Sequence, residues 1–213
     1  MTKRSFRVLR PLKRKKKSAA RDSLIEAVER LLRQYHPSEI TTSMVLSEAS
    51  VARGTLYLHF DDFSDLMETV LLSAFSKSVE QNIDAIRTIV DKSRSKKSLL
   101  EGFEKLTKSS QGPERRDFRF ARLRLIAYSE KNPRFAKALA EEQTRLNEKF
   151  DAAFKTLQRK GWLNKSLDVQ SVAIFVQAYT LGRIIDDVAD KKIPPESWNK
   201  LIVQIVSKVL IHN

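Results

Sequence analysis

The sequence contains no cysteine and only 5 glycines among its 213 residues. The lack of cysteine excludes disulfides, thiolate metal sites and thiol nucleophiles, and the scarcity of glycine leaves no glycine-rich loop to cradle a phosphate. The histidines His36, His59 and His212 lie too far apart to show the spacing of metal ligands. We therefore expect no catalytic residues, no metal site and no cofactor, and hence a protein that is not an enzyme.

Long apolar runs are also missing. No stretch approaches the roughly 18 consecutive apolar residues that a membrane span needs, and the basic N-terminus lacks the apolar core of a secretory signal. No segment shows the alternating pattern of a strand, whereas apolar residues recur at helical spacing along most of the chain. We therefore expect a cytoplasmic, all-α protein with a hydrophobic core and no association with membranes.

Positive charge is in excess, with a net charge of +14, which favours a polyanionic partner. Residues 1–17 carry basic but no acidic side chains, so we expect a disordered arm that grips DNA phosphates or enters a minor groove. The alternatives are a solvated tail without defined contacts and a membrane-surface anchor, for which Phe6, Val8 and Leu9 offer little apolar area. The arm residues predicted to contact DNA are Lys13, Arg14, Lys15, Lys16 and Lys17.

Residues 41–60, TTSMVLSEASVARGTLYLHF, predict two short helices joined by a tight turn. Thr41 or Thr42 can cap the first helix by accepting a hydrogen bond from a free backbone N–H. The second helix is apolar on the side of Leu56 and Phe60, and its other side is polar or small. A helix with one packed face and one thin face can enter the major groove of DNA.

This stretch resembles the helix-turn-helix of the TetR/AcrR family of bacterial transcriptional regulators. The resemblance is sharp over residues 18–78, and beyond them it rests on chain length and the helical outline. The residues that carry it are Thr42, Ala49, Val51, Gly54, Thr55, Leu56, Tyr57, His59, Phe60 and Leu66.

The resemblance implies a DNA-binding domain at residues 18–64 and a helical ligand-binding and dimerisation domain at residues 65–213. It also implies a homodimeric repressor that leaves a palindromic operator when a small hydrophobic effector binds. The alternative is a DNA-binding regulator or scaffold that has no small-molecule ligand and is controlled by a protein partner or by abundance.

Three positions depart from the family's pattern. Ser50 stands in the turn where the family usually has glycine, and Ala52 stands where a serine or threonine usually caps the second helix. Phe63 replaces a lysine that meets a phosphate at the start of the fourth helix, so the resemblance supplies no phosphate contact there.

Arg53 is the best candidate for reading a base, because a guanidinium can bond the O6/N7 edge of guanine; a phosphate contact is the alternative. Thr55 could touch a thymine methyl or a phosphate, and Gly54 allows the backbone to approach closely. Tyr57 and His59 match family positions that meet the phosphate backbone, although Tyr57 could equally pack on the core. The full set of predicted contacts in the helices is Thr42, Ser43, Arg53, Gly54, Thr55, Tyr57 and His59.

The rest of the chain predicts further helices. Segments of helical periodicity, interrupted by polar or proline-containing breaks, lie at about 18–35, 64–90, 99–109, 116–129, 133–161, 168–189 and 194–211, with a basic loop at 92–98. The last two helices have wide apolar faces and a short connection, which predicts an antiparallel hairpin that forms the dimer interface. The alternative is that both faces are covered within one subunit.

Residues 116–129 are apolar nearly all round, which predicts a central, buried helix. It nevertheless carries Arg119, Arg122 and Arg124. These arginines either pair with an acid in a pocket or interface, or extend to solvent from the helix edges. We expect the second, because an unpaired buried charge is costly, and we expect the pair Asp186 and Asp187 to be solvated.

An excess of inward aromatic side chains predicts an apolar ligand pocket in the second domain. The effector would be largely hydrophobic, with an anionic group if Arg119 or Arg122 points inward. The alternative is that the aromatic residues only fill the core. The candidate lining residues are Phe75, Phe103, Phe120, Leu123, Tyr128, Phe150, Phe154, Phe175 and Tyr179.

Overall fold

The structure is a computed structural model that describes residues 18–211. Within this range the chain is helical and contains no β-strand, apart from one isolated bridge between Leu163 and Ile211. The predicted all-α class is confirmed. The helices are α1 Ala19–Leu31, α2 Thr42–Ala49, α3 Arg53–His59, α4 Phe63–Lys92, α5 Lys96–Gln111, α6 Arg116–Lys131, α7 Pro133–Arg159, α8 Val169–Gly182, α9 Ile184–Asp187 and α10 Pro195–Ile205.

The chain divides into two compact units. The first unit extends to Phe75 and includes Asn132–Ala138, and the second comprises Ser76–Lys131 and the residues from Leu139 onward. The division therefore falls inside α4 and inside α7, whereas the predicted domain boundary after residue 64 lies at the start of α4.

Side-chain caps begin several helices, and the cap at Thr41 is one that the sequence predicts. The Ser18 hydroxyl accepts from the Arg21 N–H at 3.2 Å, and the Thr41 hydroxyl accepts from the Met44 N–H at 3.3 Å. The Asp168 carboxylate accepts from the Ser171 N–H at 2.8 Å. Helix α3 has no side-chain cap at Ala52, as its sequence predicts. Because caps satisfy orphan N–H groups, these starts are fixed by local chemistry.

The core of the first unit holds α3 in place. Leu24 and Val28 from α1, Val45 from α2 and Leu56 from α3 are fully buried together, and Phe60 joins them just after α3. The predicted apolar side of α3 is therefore the buried side. A helix this short is not stable alone, so its position depends on this burial.

A buried carboxylate brings the start of α7 into the first unit. Glu68 of α4 is 2% exposed and accepts hydrogen bonds from Asn132 Nδ2 at 2.6 Å and Arg134 Nε at 3.0 Å. Phe135, the residue after Arg134, is also buried. A charge in this position needs both the ion pair and the hydrogen bonds to offset its loss of hydration.

In the second unit, ion pairs join α4 to α7. Arg145 donates from Nη1 to Glu80 Oε1 at 2.8 Å and from Nε to Glu142 Oε2 at 2.9 Å. Lys149 also pairs with Glu80, and Ser76 donates to Glu142. The network fixes the register of two long helices.

Several predicted boundaries are wrong by part of a turn or more. Helix α1 ends at Leu31 rather than Tyr35, which is 43% exposed and so gains little by extending the helix. The predicted loop at 92–98 is shorter than expected, because α4 continues to Lys92 and because Ser95 and Ser98 form a reciprocal capping box that starts α5 at Lys96. Helix α5 then continues to Gln111, whose Oε1 accepts from Trp198 Nε1 at 3.0 Å.

The predicted burial of the helix at 116–129 is also wrong. In α6 only Arg119 and Leu125 are buried, whereas Leu123, Ile126 and Tyr128 are 43–44% exposed. Helix α10 packs mainly against α5. Apolar content alone does not determine which face another helix covers.

Ser50 has a strained backbone conformation. It is the C-cap of α2 and adopts the left-handed conformation (φ 52°, ψ 44°), which costs a non-glycine residue about 1 kcal/mol or more. We expect Ser50→Gly to raise the free energy of unfolding by about 0.5–1 kcal/mol, measured by urea denaturation.

The matched control is Ser47→Gly, in the exposed right-handed interior of the same helix. It should lower stability by about 0.5 kcal/mol. Equal effects of the two substitutions would contradict the assignment of strain to Ser50.

Candidate nucleic-acid interface and ligand cavity

The α2–α3 surface, defined by Thr42, Ser43, Arg53, Gly54, Thr55 and Tyr57, is accessible. Ser43, Arg53, Gly54 and Tyr57 are exposed, and the two threonines are partly exposed. Tyr57 is 47% exposed, so part of the ring contacts the protein and part faces solvent. The sequence did not single out Leu58, which is 73% exposed on α3. Its spacing from Leu56 could have placed it on this surface.

His59 differs from the other predicted contacts, because its side chain is already engaged. Its Nε2 lies 3.1 Å from the Ser18 hydroxyl, the group that also caps α1. Arg21 of α1 lies over the Phe60 ring at 5.1 Å from the ring centre. The end of α3 is thereby tied to the start of α1. The predicted contacts Lys13, Arg14, Lys15, Lys16 and Lys17 lie outside the described residues.

Phe63, at the position where a phosphate-binding lysine was expected from the resemblance, packs against the core of the first unit. The capping of α4 does not need that position, because Asp62 Oδ1 accepts from the Asp65 N–H at 2.7 Å. Phe63 thus has an apolar role.

Gly54 has no packing reason to be glycine. A Cβ built on it would meet no atom within 4 Å, and its φ lies outside the left-handed region. Glycine in a helix costs about 0.5–1 kcal/mol relative to alanine. Residue 54 therefore lacks a side chain although packing within the protein leaves room for one.

A cavity of about 50 Å³ lies in the second unit. Its walls come from α4, α5, α6, α7, α8 and the short π-helix Val206–Leu210 that follows α10. The predicted residues Phe103, Phe150, Phe154 and Tyr179 line it, with the two phenyl rings at 150 and 154 stacked at 6.3 Å between centres. This volume holds a few water molecules, so a larger ligand requires side chains to move.

The other predicted lining residues lie elsewhere. Leu123 and Tyr128 are exposed, and Phe75 is buried in the first unit. Phe120 lies under Arg116, whose guanidinium carbon is 4.5 Å from the ring centre, and Phe175 packs against Tyr179 at 5.5 Å. None of the five lines this cavity, because aromatic content marks apolar surface but not which side of a helix faces a cavity.

Polar groups also reach the cavity, and the sequence reasoning missed most of them. Arg122, Gln177, Thr107 and Thr180 all line it. Gln177 is 6% exposed and stands between the segments VAIFV and AYTLG of α8. A single amide in such a run was the available signal, since a buried amide needs partners. Burial raises the pKa of Tyr179, and hydrogen bonds with Thr107 and Thr180 partly oppose this.

Arg119 is committed to an internal ion pair. It is 1% exposed and donates from Nε to Asp187 Oδ2 at 2.5 Å and from Nη2 to Asp187 Oδ1 at 2.8 Å. The expectation that this arginine reaches solvent and that Asp187 is solvated is wrong, because the bidentate pair compensates burial. Asp186 likewise pairs with Arg183 at 3.0 Å, whereas Arg124 is exposed as expected.

In residues 18–211 no helix is long and apolar enough to cross a membrane. The same described range contains no group of His, Asp and Glu side chains that could hold a metal ion.

No protein-family model matches the sequence, and no curated protein matches it either. Solved structures do match the fold. A TetR-family regulator from Mesorhizobium loti gives a TM-score of 0.69 at 15% identity, covering 91% of this chain and 97% of that one. This protein has the fold of TetR-family regulators.

Two further structures agree. A TetR-family regulator from Rhodococcus sp. gives a TM-score of 0.63 at 21% identity, covering 90% of this chain and 98% of that one. A transcriptional regulator from Saccharomonospora viridis, solved with choline, also gives a TM-score of 0.63, at 17% identity, covering 92% of this chain and 100% of that one. The fold implied by the resemblance is therefore confirmed.

Gly54→Ala should separate folding from recognition. We expect the free energy of unfolding to rise by about 0.5–1 kcal/mol, because alanine favours the helix and has room. We expect affinity for DNA to fall, because a new methyl group stands on the α2–α3 surface. Urea denaturation and fluorescence anisotropy with labelled duplexes measure the two effects.

Thr144→Ala is the control, since Thr144 is exposed in the interior of α7, away from the α2–α3 surface and outside the segments predicted to dimerise. It should leave DNA affinity unchanged. Unaltered DNA affinity in Gly54→Ala would contradict the idea that this glycine serves close approach.

Asp187→Asn should lower the free energy of unfolding at pH 7 by about 3 kcal/mol, because it leaves Arg119 buried without its carboxylate. The hydrogen bonds from Arg119 hold the pKa of Asp187 below its ordinary value. The contribution of the pair is therefore complete above the unfolded pKa of about 4 and is lost as the pH falls towards the lower folded pKa.

Denaturation of both proteins between pH 7 and pH 3 tests this, with exposed Asp190→Asn as the control. The difference between wild type and Asp187→Asn should shrink in acid. A difference that stays constant with pH would show that the ion pair is not its origin.

Proposed function

We propose that this protein is a sequence-specific DNA-binding transcriptional regulator with no enzymatic activity. One observation carries the proposal: α3 buries Leu56 and presents Arg53, Gly54 and Tyr57 on an accessible surface next to α2. A second helix fixed in this way is what a helix-turn-helix inserts into the major groove. The fold shared with TetR-family regulators and the net charge of +14 support the same function.

The groups on the α2–α3 surface divide into base-reading and phosphate-binding roles. Arg53, in the first turn of α3, is proposed to bond a guanine edge, with Thr55 beside it on a thymine methyl or a phosphate. Thr42, Ser43 and Tyr57 carry hydroxyl groups that suit phosphate contacts. His59 is proposed to contact a phosphate through Nδ1, because its Nε2 already lies 3.1 Å from the Ser18 hydroxyl.

The regulator is proposed to be a homodimer on a palindromic operator. Apolar side chains of the second unit remain uncovered in the single chain, the most exposed being Ile174, Ile185, Val188, Leu201 and Val209. All five lie in or next to the last helices of the chain, and a large exposed apolar area normally has a partner. A second copy of this chain is the occupant we propose, because a two-fold pair of α3 helices would read two half-sites about one turn of DNA apart.

Ligand control is the proposed mode of regulation. A small hydrophobic effector that binds the cavity better in one arrangement of the dimer would shift the population away from the DNA-binding arrangement and relieve repression in the cytoplasm. The aromatic walls support an apolar ligand, and choline in the Saccharomonospora viridis structure supports the general idea of an effector.

The second candidate is a DNA-binding regulator without a small-molecule ligand, controlled by a protein partner or by abundance. The cavity volume of about 50 Å³ favours it, because pockets for drug-sized ligands measure about 300–1,000 Å³. Binding of apolar probes to the second unit distinguishes the two candidates.

Arg53→Ala tests base reading. On a duplex selected for tight binding the substitution should cost about 1–3 kcal/mol of binding free energy, and on scrambled DNA it should cost little.

Deletion of residues 1–17 should weaken binding to both duplexes by a similar factor. The loss of four phosphate contacts would flatten the slope of log affinity against log salt by roughly 3 to 4 units.

The affinity of both variants for both duplexes is measured over a series of salt concentrations. If Arg53→Ala weakens binding to the two duplexes equally and lowers the slope of log affinity against log salt by about one unit, Arg53 contacts a phosphate and the base-reading role is wrong.

Sedimentation at micromolar concentration should show a dimer of the 24.5 kDa chain. Ile185→Lys should shift it towards monomer, because a charge at this 76% exposed apolar position cannot be desolvated at an interface without a partner. Leu58→Lys, at a 73% exposed position on α3, should leave the dimer intact. A wild-type monomer at this concentration would exclude the homodimer.

A further inference from the structure

An apolar side chain stands at the centre of the outward side of α3. Leu56 marks the opposite side, because it is fully buried in the core. Successive residues of an α-helix are about 100° apart around the axis, so Gly54 and Leu58 both lie nearly opposite Leu56 and one turn from each other. Their accessibility agrees with this placement, since Gly54 is exposed and Leu58 is 73% exposed.

Gly54 leaves the helix backbone bare next to this leucine. A Cβ built on Gly54 would meet no atom within 4 Å, so the Leu58 side chain does not cover that turn. Side chains of a helix lean towards its N-terminus, which directs Leu58 to the border of the bare backbone. Thr55 is three residues before Leu58 and therefore adjoins it on the helix surface. The outward side of α3 thus combines room for close approach with an apolar edge.

The groups around Leu58 suit a nucleic acid better than a protein partner. Helix α3 carries Arg53 and no acidic side chain, and Thr42, Ser43 and Tyr57 add hydroxyl groups to the α2–α3 surface. The whole chain has a net charge of +14. A surface that docks a protein is normally a contiguous apolar patch of a few hundred Å², whereas here one leucine is set among a cation and hydroxyl groups. This charge complements a polyanion.

The major groove of DNA offers one apolar group to such a side chain. The base edges present hydrogen-bond donors and acceptors, and the exception is the C5 methyl group of thymine. Leucine can neither donate nor accept a hydrogen bond, so packing it on any other base-edge group, or on a phosphate, would remove that polar group from water without a partner. Packing on the methyl group removes apolar surface from water on both sides.

We propose that Leu58 reads a thymine, with its side chain packed on the C5 methyl group of a base that approaches over Gly54. This inference rests on the proposed DNA-binding function and adds a specificity-determining residue to it. Leu58 lies about 7.5 Å from Arg53 along the helix axis, and successive bases of a strand are about 3.4 Å apart. With α3 lying along the groove, the thymine is therefore about two base pairs from the base pair that Arg53 reads.

Replacement of thymine by deoxyuridine tests the contact, because it removes the methyl group and keeps every hydrogen-bonding group of the base. Each thymine of one half-site of a selected duplex is replaced in turn, and fluorescence anisotropy measures the affinity of the full-length chain. At the thymine that Leu58 reads, the dissociation constant should rise about threefold to fivefold, the factor that burial of one methyl group supplies.

Two variants locate the effect. Leu58→Ala should bind the thymine duplex and the deoxyuridine duplex with equal affinity, because its side chain no longer reaches the methyl group. Ile126→Ala removes a 43% exposed apolar side chain from α6, outside the α2–α3 surface, and should keep the wild-type difference. Urea denaturation checks that both variants fold, and the replacement series on the wild-type chain needs no variant.

The outcomes separate this inference from the function on which it rests. If the wild-type chain prefers the selected duplex to scrambled DNA but no replacement weakens binding, the thymine contact is overturned and sequence-specific binding stands. If Leu58→Ala shows the same loss as the wild type, another residue such as Thr55 holds the methyl group and the role of Leu58 is overturned. Unchanged affinity of Leu58→Ala for every duplex also overturns it and leaves Leu58 for a protein partner. If no duplex is preferred at all, the proposed function fails and the thymine contact fails with it.

Discussion

The burial of Leu56 and Phe60 against α1 is the constraint on which the α2–α3 surface depends. Helix α3 spans only Arg53–His59, and it has no side-chain cap and a glycine at its second position. Such a segment would not hold a helical conformation in isolation. Packing of Leu56 against Leu24, Val28 and Val45 therefore determines both that α3 exists and which of its sides faces outward.

Secondary contacts reinforce this arrangement at both ends of α3. The left-handed Ser50 ends α2 and brings Val51 into partial contact with the core. The contact of His59 with Ser18 and the position of Arg21 over Phe60 fasten the other end to α1. The strain at Ser50 and the missing cap at Ala52 are tolerated because the core around Leu56 over-determines the geometry.

The first unit was the part of the fold that its sequence predicted well. The cap at Thr41 and the apolar side of α3 can be inferred from neighbouring residues, and the helices that cover this side, α1 and α2, are close to α3 in sequence. In the second unit the decisive contacts are distant in sequence. Arg119 and Asp187 are separated by 68 residues, and no periodicity relates them. The packing of α10 on α5 and the exposure of Leu123 and Ile126 depend in the same way on tertiary partners.

The cavity illustrates the same limit. Phe103, Phe150, Phe154 and Tyr179 were predicted from aromatic content and do line it, whereas Phe120 and Phe175 pack elsewhere. The amide of Gln177 orients Arg122 through bonds between three helices, which only the folded chain brings together. The lining of the cavity is therefore a few polar groups set in an apolar surround.

The most direct test of the central claim, that the α2–α3 surface reads DNA sequence, is selection of random duplexes by the purified full-length chain, followed by sequencing of the bound pool. The account predicts an enriched inverted repeat whose half-sites lie about one helical turn, or a multiple of it, apart. It also predicts that the same selection with Arg53→Ala loses preference at one base pair in each half-site. Enrichment of no motif, with binding that depends only on duplex length and salt, would contradict the account and leave a basic protein that binds DNA without reading it.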